Sequence, residues 1–156
     1  MILYHTSYKR IENPDISYSR DYLDFGKGFY LTHIREQAER YGLRFSRRRK
    51  ESWLNTFEFD CNEADWKILR LETYDKEWIE FVSKCRGGSD PSDYDMVVGG
   101  IADDKVIKTL DRYFNKEIRE DEALGLLRFE RPNIQYCIRS QEMLNRCLKH
   151  VESIKL

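Results

Sequence analysis

Three short stretches hold the residue types from which a chemical site could be assembled: LYHTS (3–7), FGKGFYLT (25–32) and IQYCI (134–138). His5 in the first brings a ring whose charge and hydrogen-bonding role change near neutral pH. In the second, Gly26 and Gly28 flank Lys27 just ahead of a strand-like FYLT. Glycine gives up more backbone freedom on folding than any other residue. The spacing therefore marks either a tight turn or a place where the main chain must come close to another group. It is neither the Gly-x-x-x-x-Gly-Lys-Ser/Thr loop that cradles phosphates nor the Gly-x-Gly-x-x-Gly turn of dinucleotide-binding helices. Tyr30 and Tyr41 add two aromatic rings, as fit to fill a core as to face a ligand. Gln135 in the third stretch carries a neutral amide that both donates and accepts.

Hydropathy period and turn chemistry supply the elements that must position these residues. MILYH and GFYLT read as short strands, separated by turn chemistry at Asn13-Pro14-Asp15. Thr32 is expected to cap a helix in which Ile34, Ala38, Tyr41 and Phe45 recur at three- to four-residue spacing. The far end of that helix, RFSRRRKE, is a basic run. TFEFD and WKILRLE alternate as strands, and DKEWIEFVSKC has helical period until Gly87-Gly88 ends it. YDMVVGGIA is a nearly continuous apolar strand, buried on both faces. DDKVIKTLDRYF and EDEALGLLRF are helices opening on acidic residues, which the helix dipole favours. IQYCIRS alternates again, Ser140 caps the helix QEMLNRCLKH, and VESIKL reads as an edge strand. Strands and helices are mixed without regular βαβ order, with no repeat and no linker. The expectation is one α+β domain over residues 1–156.

In order and content the three stretches resemble the diphtheria-toxin-like ADP-ribosyltransferases, particularly the catalytic domain of the poly(ADP-ribose) polymerases. The chain is also similar to small bacterial proteins of that superfamily encoded in toxin–antitoxin style. The polymerases carry His-Gly-Ser on the first strand, Phe-Gly-Lys-Gly-Ile-Tyr ahead of a helix, and a catalytic Glu followed by Tyr on a later strand. The resemblance implies a split, mostly antiparallel β core with flanking helices, and NAD+ as co-substrate without a metal. His5 would then hydrogen-bond the adenosine ribose. The backbone of Thr6, in place of the family's glycine, would grip the nicotinamide carboxamide, and Ser7 matches the family's serine. Tyr30 and Tyr41 would stack on the two faces of the nicotinamide. Asp24, Lys27 and Phe29 would shape the loop around the donor, with Gly26 and Gly28 leaving it room.

Two positions depart from the pattern. Gln135 stands where the polymerases have their Glu, and Ala38 where they have a carboxamide-binding Ser. A neutral amide can bond a ribose hydroxyl but cannot take a proton from a nucleophile. The implied catalytic group of His5, Tyr30 and Gln135 therefore suits transfer of a single ADP-ribose, with Asp103, Asp104 or Glu142 as alternative activators. The function implied is mono-ADP-ribosylation of a macromolecule, protein ahead of DNA or RNA, as a toxin with a small antitoxin partner. Hydrolysis of NAD+ is a lesser reading. A catalytically silent NAD+-binding or partner-binding module is the alternative.

Composition narrows the classes. With 156 residues, ten Tyr, eight Phe and three Trp, the chain can bury about two-thirds of its unfolded surface. No apolar run approaches the roughly 20 residues of a membrane span. MILYHTSYKR lacks the charged start and apolar stretch of a secretory signal, so a soluble, cytoplasmic protein is expected. Cys61, Cys85, Cys137 and Cys147 form no Cys-x-x-Cys pair and have no His at ligand spacing, which suits reduced thiols and no metal centre. The net charge of −1 argues against strong nonspecific binding of nucleic acid by the chain as a whole. The run Arg44–Lys50 remains either a solvated helix end or a landing patch for phosphate groups. Asp103 and Asp104 are likewise a helix start or an acidic pair facing a target.

Overall fold

Among the described residues, alternating apolar patterns draw seven strands into two sheets. The computed structural model, which describes residues 1–90 and 92–156, has an α+β fold. Strands β1 (Ile2–Ser7), β3 (Trp53–Phe59) and β7 (Leu148–Lys155) form an antiparallel sheet in the order β1-β3-β7. The second sheet takes β2 (Phe29–Leu31), β6 (Asn133–Ile138), β5 (Met96–Ile101) and β4 (Ile68–Leu71) in the order β2-β6-β5-β4. Only its β4–β5 pair is parallel. The two sheets are bridged at Tyr4 and Thr32, whose reciprocal backbone bonds measure 2.8 and 3.0 Å. Beyond that bridge β1 and β2 part.

Strand β5 shows how the layers stack. Val97 faces one core, built with Trp78, Ile79 and Val82 of α2 (Lys76–Arg86), Val106 and Leu110 of α3 (Asp104–Phe114), and Leu127 of α4 (Glu120–Leu127). Its neighbours Met96 and Val98 face a second core, between the sheets. That core takes Leu3 and Phe57 from one sheet, Phe29, Leu31 and Ile138 from the other, and Met143 and Leu144 of α5 (Gln141–Cys147). The four-stranded sheet is thus covered on both sides, as its apolar β5 anticipates. Helix α1 (Arg35–Arg47) lies apart on the outer face of the three-stranded sheet, burying only Ala38 and Gly42.

Two local expectations are corrected. Thr32 does not cap α1; Ile34 occupies the cap position without a side-chain bond. The bridge to Tyr4 holds Thr32 two residues too early. Its hydroxyl instead accepts the Ile34 N–H at 3.1 Å and donates to Gln37 at 2.5 Å. The last helix is shorter than its apolar pattern suggests, because Leu148–His150 leave it to pair with Phe57–Phe59 and carry Leu148 into the inter-sheet core. Ser140 does cap α5, accepting the Met143 N–H. Among the described residues no helix is long and apolar enough to cross a membrane.

Candidate functional site

The parting of the two sheets leaves part of the main chain free. In an antiparallel strand the N–H and C=O of one residue point to the same side, and successive residues alternate sides. Tyr4 spends both groups on Thr32. Thr6 is in the same phase, so its N–H and C=O point away from β3 into the gap left by β2, without a partner among the described residues. Its side chain serves another purpose: Oγ1 donates to the Ala38 carbonyl at 2.6 Å and seats α1 on β1. Ser7, buried beside it, accepts the Lys9 N–H at 3.4 Å.

His5 fills the start of the gap. Its Nδ1 lies 2.7 Å from the carbonyl oxygen of Tyr30. A carbonyl only accepts, so Nδ1 carries the proton and Nε2 presents a lone pair. The ring stacks on Phe29 with centroids 4.2 Å apart. Burial holds the imidazole below its ordinary value of 6.5, opposed by the Tyr30 carbonyl. His5 is therefore a neutral acceptor at neutral pH.

The glycine loop closes on itself. Tyr30 Oη accepts the Phe25 N–H at 3.0 Å and donates to the Gly26 carbonyl at 2.7 Å. Gly26 has φ of +75°, a turn conformation that L side chains resist. A Cβ at Gly28 would overlap Cys137 Sγ and lie 2.9 Å from the Ile138 carbonyl oxygen. A turn at Gly26 and close packing of Gly28 on β6 therefore each call for a glycine, whatever the loop binds. Asp24 fastens the loop: it pairs with Arg86 at the end of α2 at 2.5 Å and accepts the Ala102 N–H beyond β5 at 2.8 Å. Lys27 is exposed at the tip.

Tyr30 lies nearly parallel to Phe25, at 9° with centroids 6.3 Å apart. Burial, reinforced by Cys137 and Asp24, drives its phenol far above the ordinary range. It therefore offers a ring face and no proton. Phe29 joins the inter-sheet core while Tyr30 packs on the other core. The rings of His5 and Tyr30 accordingly flank β2 and meet through the main chain, not face to face.

The remaining candidates spread outward from this point. Tyr30 pairs with Cys137 across β2–β6, and Gln135, two residues along, projects to the same side opposite Gly99. The Gln135 amide makes no side-chain hydrogen bond among the described residues. Tyr41 stands on α1, 42% exposed, edge-on to Phe45, and is not in ring contact with Tyr30. Asp103 is committed to capping α3, and Glu142 pairs with Arg146 at 3.1 Å. Asp104 lies exposed in the first turn of α3. A depression of about 490 Å3 occurs elsewhere, on the helical layer, lined by Ser83, Tyr113, Lys116 and Arg119 among others. No group able to hold a metal ion occurs among the described residues.

One participant escaped the sequence reading. Asn55, fully buried, sits opposite His5 in the β1–β3 register. Its Oδ1 accepts the Ile11 N–H at 2.9 Å and the Ser153 hydroxyl at 2.7 Å. Ser153 gives its proton to Asn55, so His150 Nε2, 2.8 Å away, is the donor to Ser153. This chain pins residues 9–11 beside the His5 face of the sheet. The signal was present in LNTFEF, since asparagine is depleted in strand interiors.

Against known proteins, a family model described as a protein of unknown function (DUF3990) matches residues 1–150. No curated protein and no solved structure matches the chain.

Proposed function

The chain belongs to the DUF3990 family, and we propose that it acts as an NAD+-dependent mono-ADP-ribosyltransferase on a macromolecule. The observation that carries this reading is the free main-chain pair of Thr6. A primary carboxamide sets an acceptor beside a donor, so the Thr6 N–H and C=O make a two-point clamp for the nicotinamide amide. His5 Nε2 accepts a ribose hydroxyl of the donor. Tyr30 and Tyr41 wall the nicotinamide, whose cationic ring favours aromatic faces. Gln135 bonds the ribose 2′-hydroxyl.

The chemistry needs no metal. The bond from C1′ to the pyridinium nitrogen breaks, its electron pair leaving with neutral nicotinamide, and the acceptor atom bonds C1′ and gives its proton to water. Oxocarbenium character on the sugar is met by positioned acceptors, as in glycoside cleavage. Gln135 cannot take that proton, so the acceptor brings its own nucleophile. A toxin role with a small antitoxin partner is part of this proposal and is supported by the family resemblance alone.

Titration calorimetry with NAD+ tests the clamp. Thr6→Pro removes one N–H that faces the gap and spares the ladder to β3, where edge proline is tolerated. Because the substitution also deletes the Oγ1 bond to Ala38, Thr6→Val, which deletes that bond and keeps the N–H, is the control. The proline variant is expected to lose at least tenfold in NAD+ affinity and the valine variant to bind like the parent. Incubation with NAD+ and a bacterial lysate, followed by mass spectrometry, then looks for ADP-ribose on peptides and nucleotides. His5→Ala and Tyr30→Ala are expected to abolish the adduct. An absence of NAD+ binding at millimolar concentration overturns the proposal. The second reading, a silent NAD+-binding module, is favoured by the neutral Gln135 amide and the locked Tyr30 hydroxyl, and predicts binding with neither adduct nor released nicotinamide.

A further inference from the structure

We infer that the surface formed by Tyr8, Lys9, Tyr18 and the C-terminal half of α1 binds single-stranded nucleic acid. Three segments distant in sequence converge there. Tyr8 meets Phe45 with ring centroids 6.3 Å apart. Lys9 Nζ lies 5.1 Å from the Tyr18 ring and 5.9 Å from that of Tyr8, and Lys50 Nζ lies 5.2 Å from Tyr8. Arg44 extends the pattern over Tyr41 at 5.0 Å. Tyr8 and Tyr18 are 50% and 80% exposed, so both side chains reach solvent beside a cation.

The charge here has no internal use. Residues 40–50 hold six cations and no carboxylate. Neither they nor Lys9 form an ion pair among the described residues. The chain as a whole nets −1, so the cations of this face are a local concentration of positive charge. Cations for phosphates, interleaved with exposed rings for bases, are the two components of single-strand recognition. A duplex keeps its bases stacked and unavailable to the rings, and an acidic peptide would use the cations while leaving the aromatic faces bare.

Location links the surface to the gap between the sheets. Tyr8 follows β1 and lies three residues from His5, about 10 Å along an extended strand. A strand on this surface runs beside the free groups of Thr6. Its role as the acceptor rests on the proposed transferase reading; its binding does not.

Fluorescence anisotropy without NAD+ tests the inference, using labelled 12-nucleotide oligothymidylate and oligouridylate, a 12-base-pair duplex and heparin as competitor. One of the single strands is expected to bind at least tenfold tighter than the duplex at 50 mM salt. Tyr8→Ala with Tyr18→Ala should weaken it at least tenfold, on the order of one lost base stack, leaving the salt slope unchanged. Lys9→Gln with Lys50→Gln should reduce the slope by about 1.4, or 0.7 per phosphate contact on a single strand. Equal affinity for the duplex, or tyrosine variants that bind like the parent, would show a mere polyanion-attracting face and overturn the inference. NAD+ titration of the same variants separates the two proposals: oligonucleotide binding with no NAD+ binding sinks the transferase and leaves this surface standing, and the converse sinks the surface alone.

Discussion

Helices α1 and α2 are of similar length, 13 and 11 residues, yet are held in opposite ways. Helix α2 buries Trp78, Ile79, Val82 and Cys85, is capped by Asp75, and hydrogen-bonds through Trp78 Nε1 to the Gly100 carbonyl at 2.6 Å. Helix α1 buries only Ala38 and Gly42, lacks a side-chain cap, and leaves Tyr41 and Leu43 exposed. In and just before the strand β3 beneath it, the hydroxyls of Thr56 and Ser52 are buried without hydrogen-bond partners among the described residues. One helix is fixed by apolar burial, the other by fit and by side-chain hydrogen bonds, from Thr6 to the Ala38 carbonyl and between Gln37 and both Thr32 and Asn133. Of the residues proposed to meet ligands, Tyr8, Tyr41 and the cations of residues 40–50 lie on or beside the weakly held helix, whereas Tyr30 packs on the core that α2 helps to build.

Substitutions can break that contrast. Trp78→Ala is expected to cost about 4 kcal/mol, through lost burial and the cavity left behind, measured by urea unfolding. Leu43→Ala on α1 should stay within about 0.5 kcal/mol in the same assay, and a comparable loss there would erase the distinction. Asp24→Ala strands Arg86 and the Ala102 N–H, and should cost about 3 kcal/mol. A negligible loss would mean that the glycine loop is not tied to the α2 layer. Thr56→Val removes an orphaned buried hydroxyl at nearly constant shape, and should stabilise the protein by about 1 kcal/mol. Destabilisation would show that the hydroxyl has a partner and that the seat of α1 is better satisfied than the contacts suggest.

The smallest effect concerns pH. The native His5 value lies below 6.5, so the unfolded chain takes up this proton first as pH falls. The stability contributed by neutral His5 is fully present above 6.5 and is lost as pH drops through the lower native value. His5→Gln should flatten the melting-temperature profile below pH 6.5. An unchanged slope would show that the imidazole is more solvated than its stacking on Phe29 implies.

Most elements were readable because their patterns are local. The alternation in IQYCIRS, the acidic opening of DDKVIKTLDRYF and the Ser140 cap depend on near neighbours, and each emerged within a few residues of its expected bounds. The exceptions, the end of α5 and the cap of α1, were decided by pairing with strands distant in sequence, β3 some 90 residues away and Tyr4 of β1, which no local signal reports. Of the site residues, Asp24 does fasten the glycine loop. Gly28 packs on β6, a neighbour more than 100 residues away that the local glycine spacing does not report. Asn55 was passed over because its partners Ile11 and Ser153 are distant in the chain.

What the chain determines by itself is the inventory: an α+β succession of elements, aromatic and glycine residues at set spacings, and a basic stretch at the end of α1. Local sterics and periodicity suffice for that. Where the two sheets part, only the tertiary structure decides, because strand pairing joins residues tens of positions apart. That parting orients the imidazole of His5, frees the main chain of Thr6, and brings Tyr8 and Tyr18 to the cations of α1.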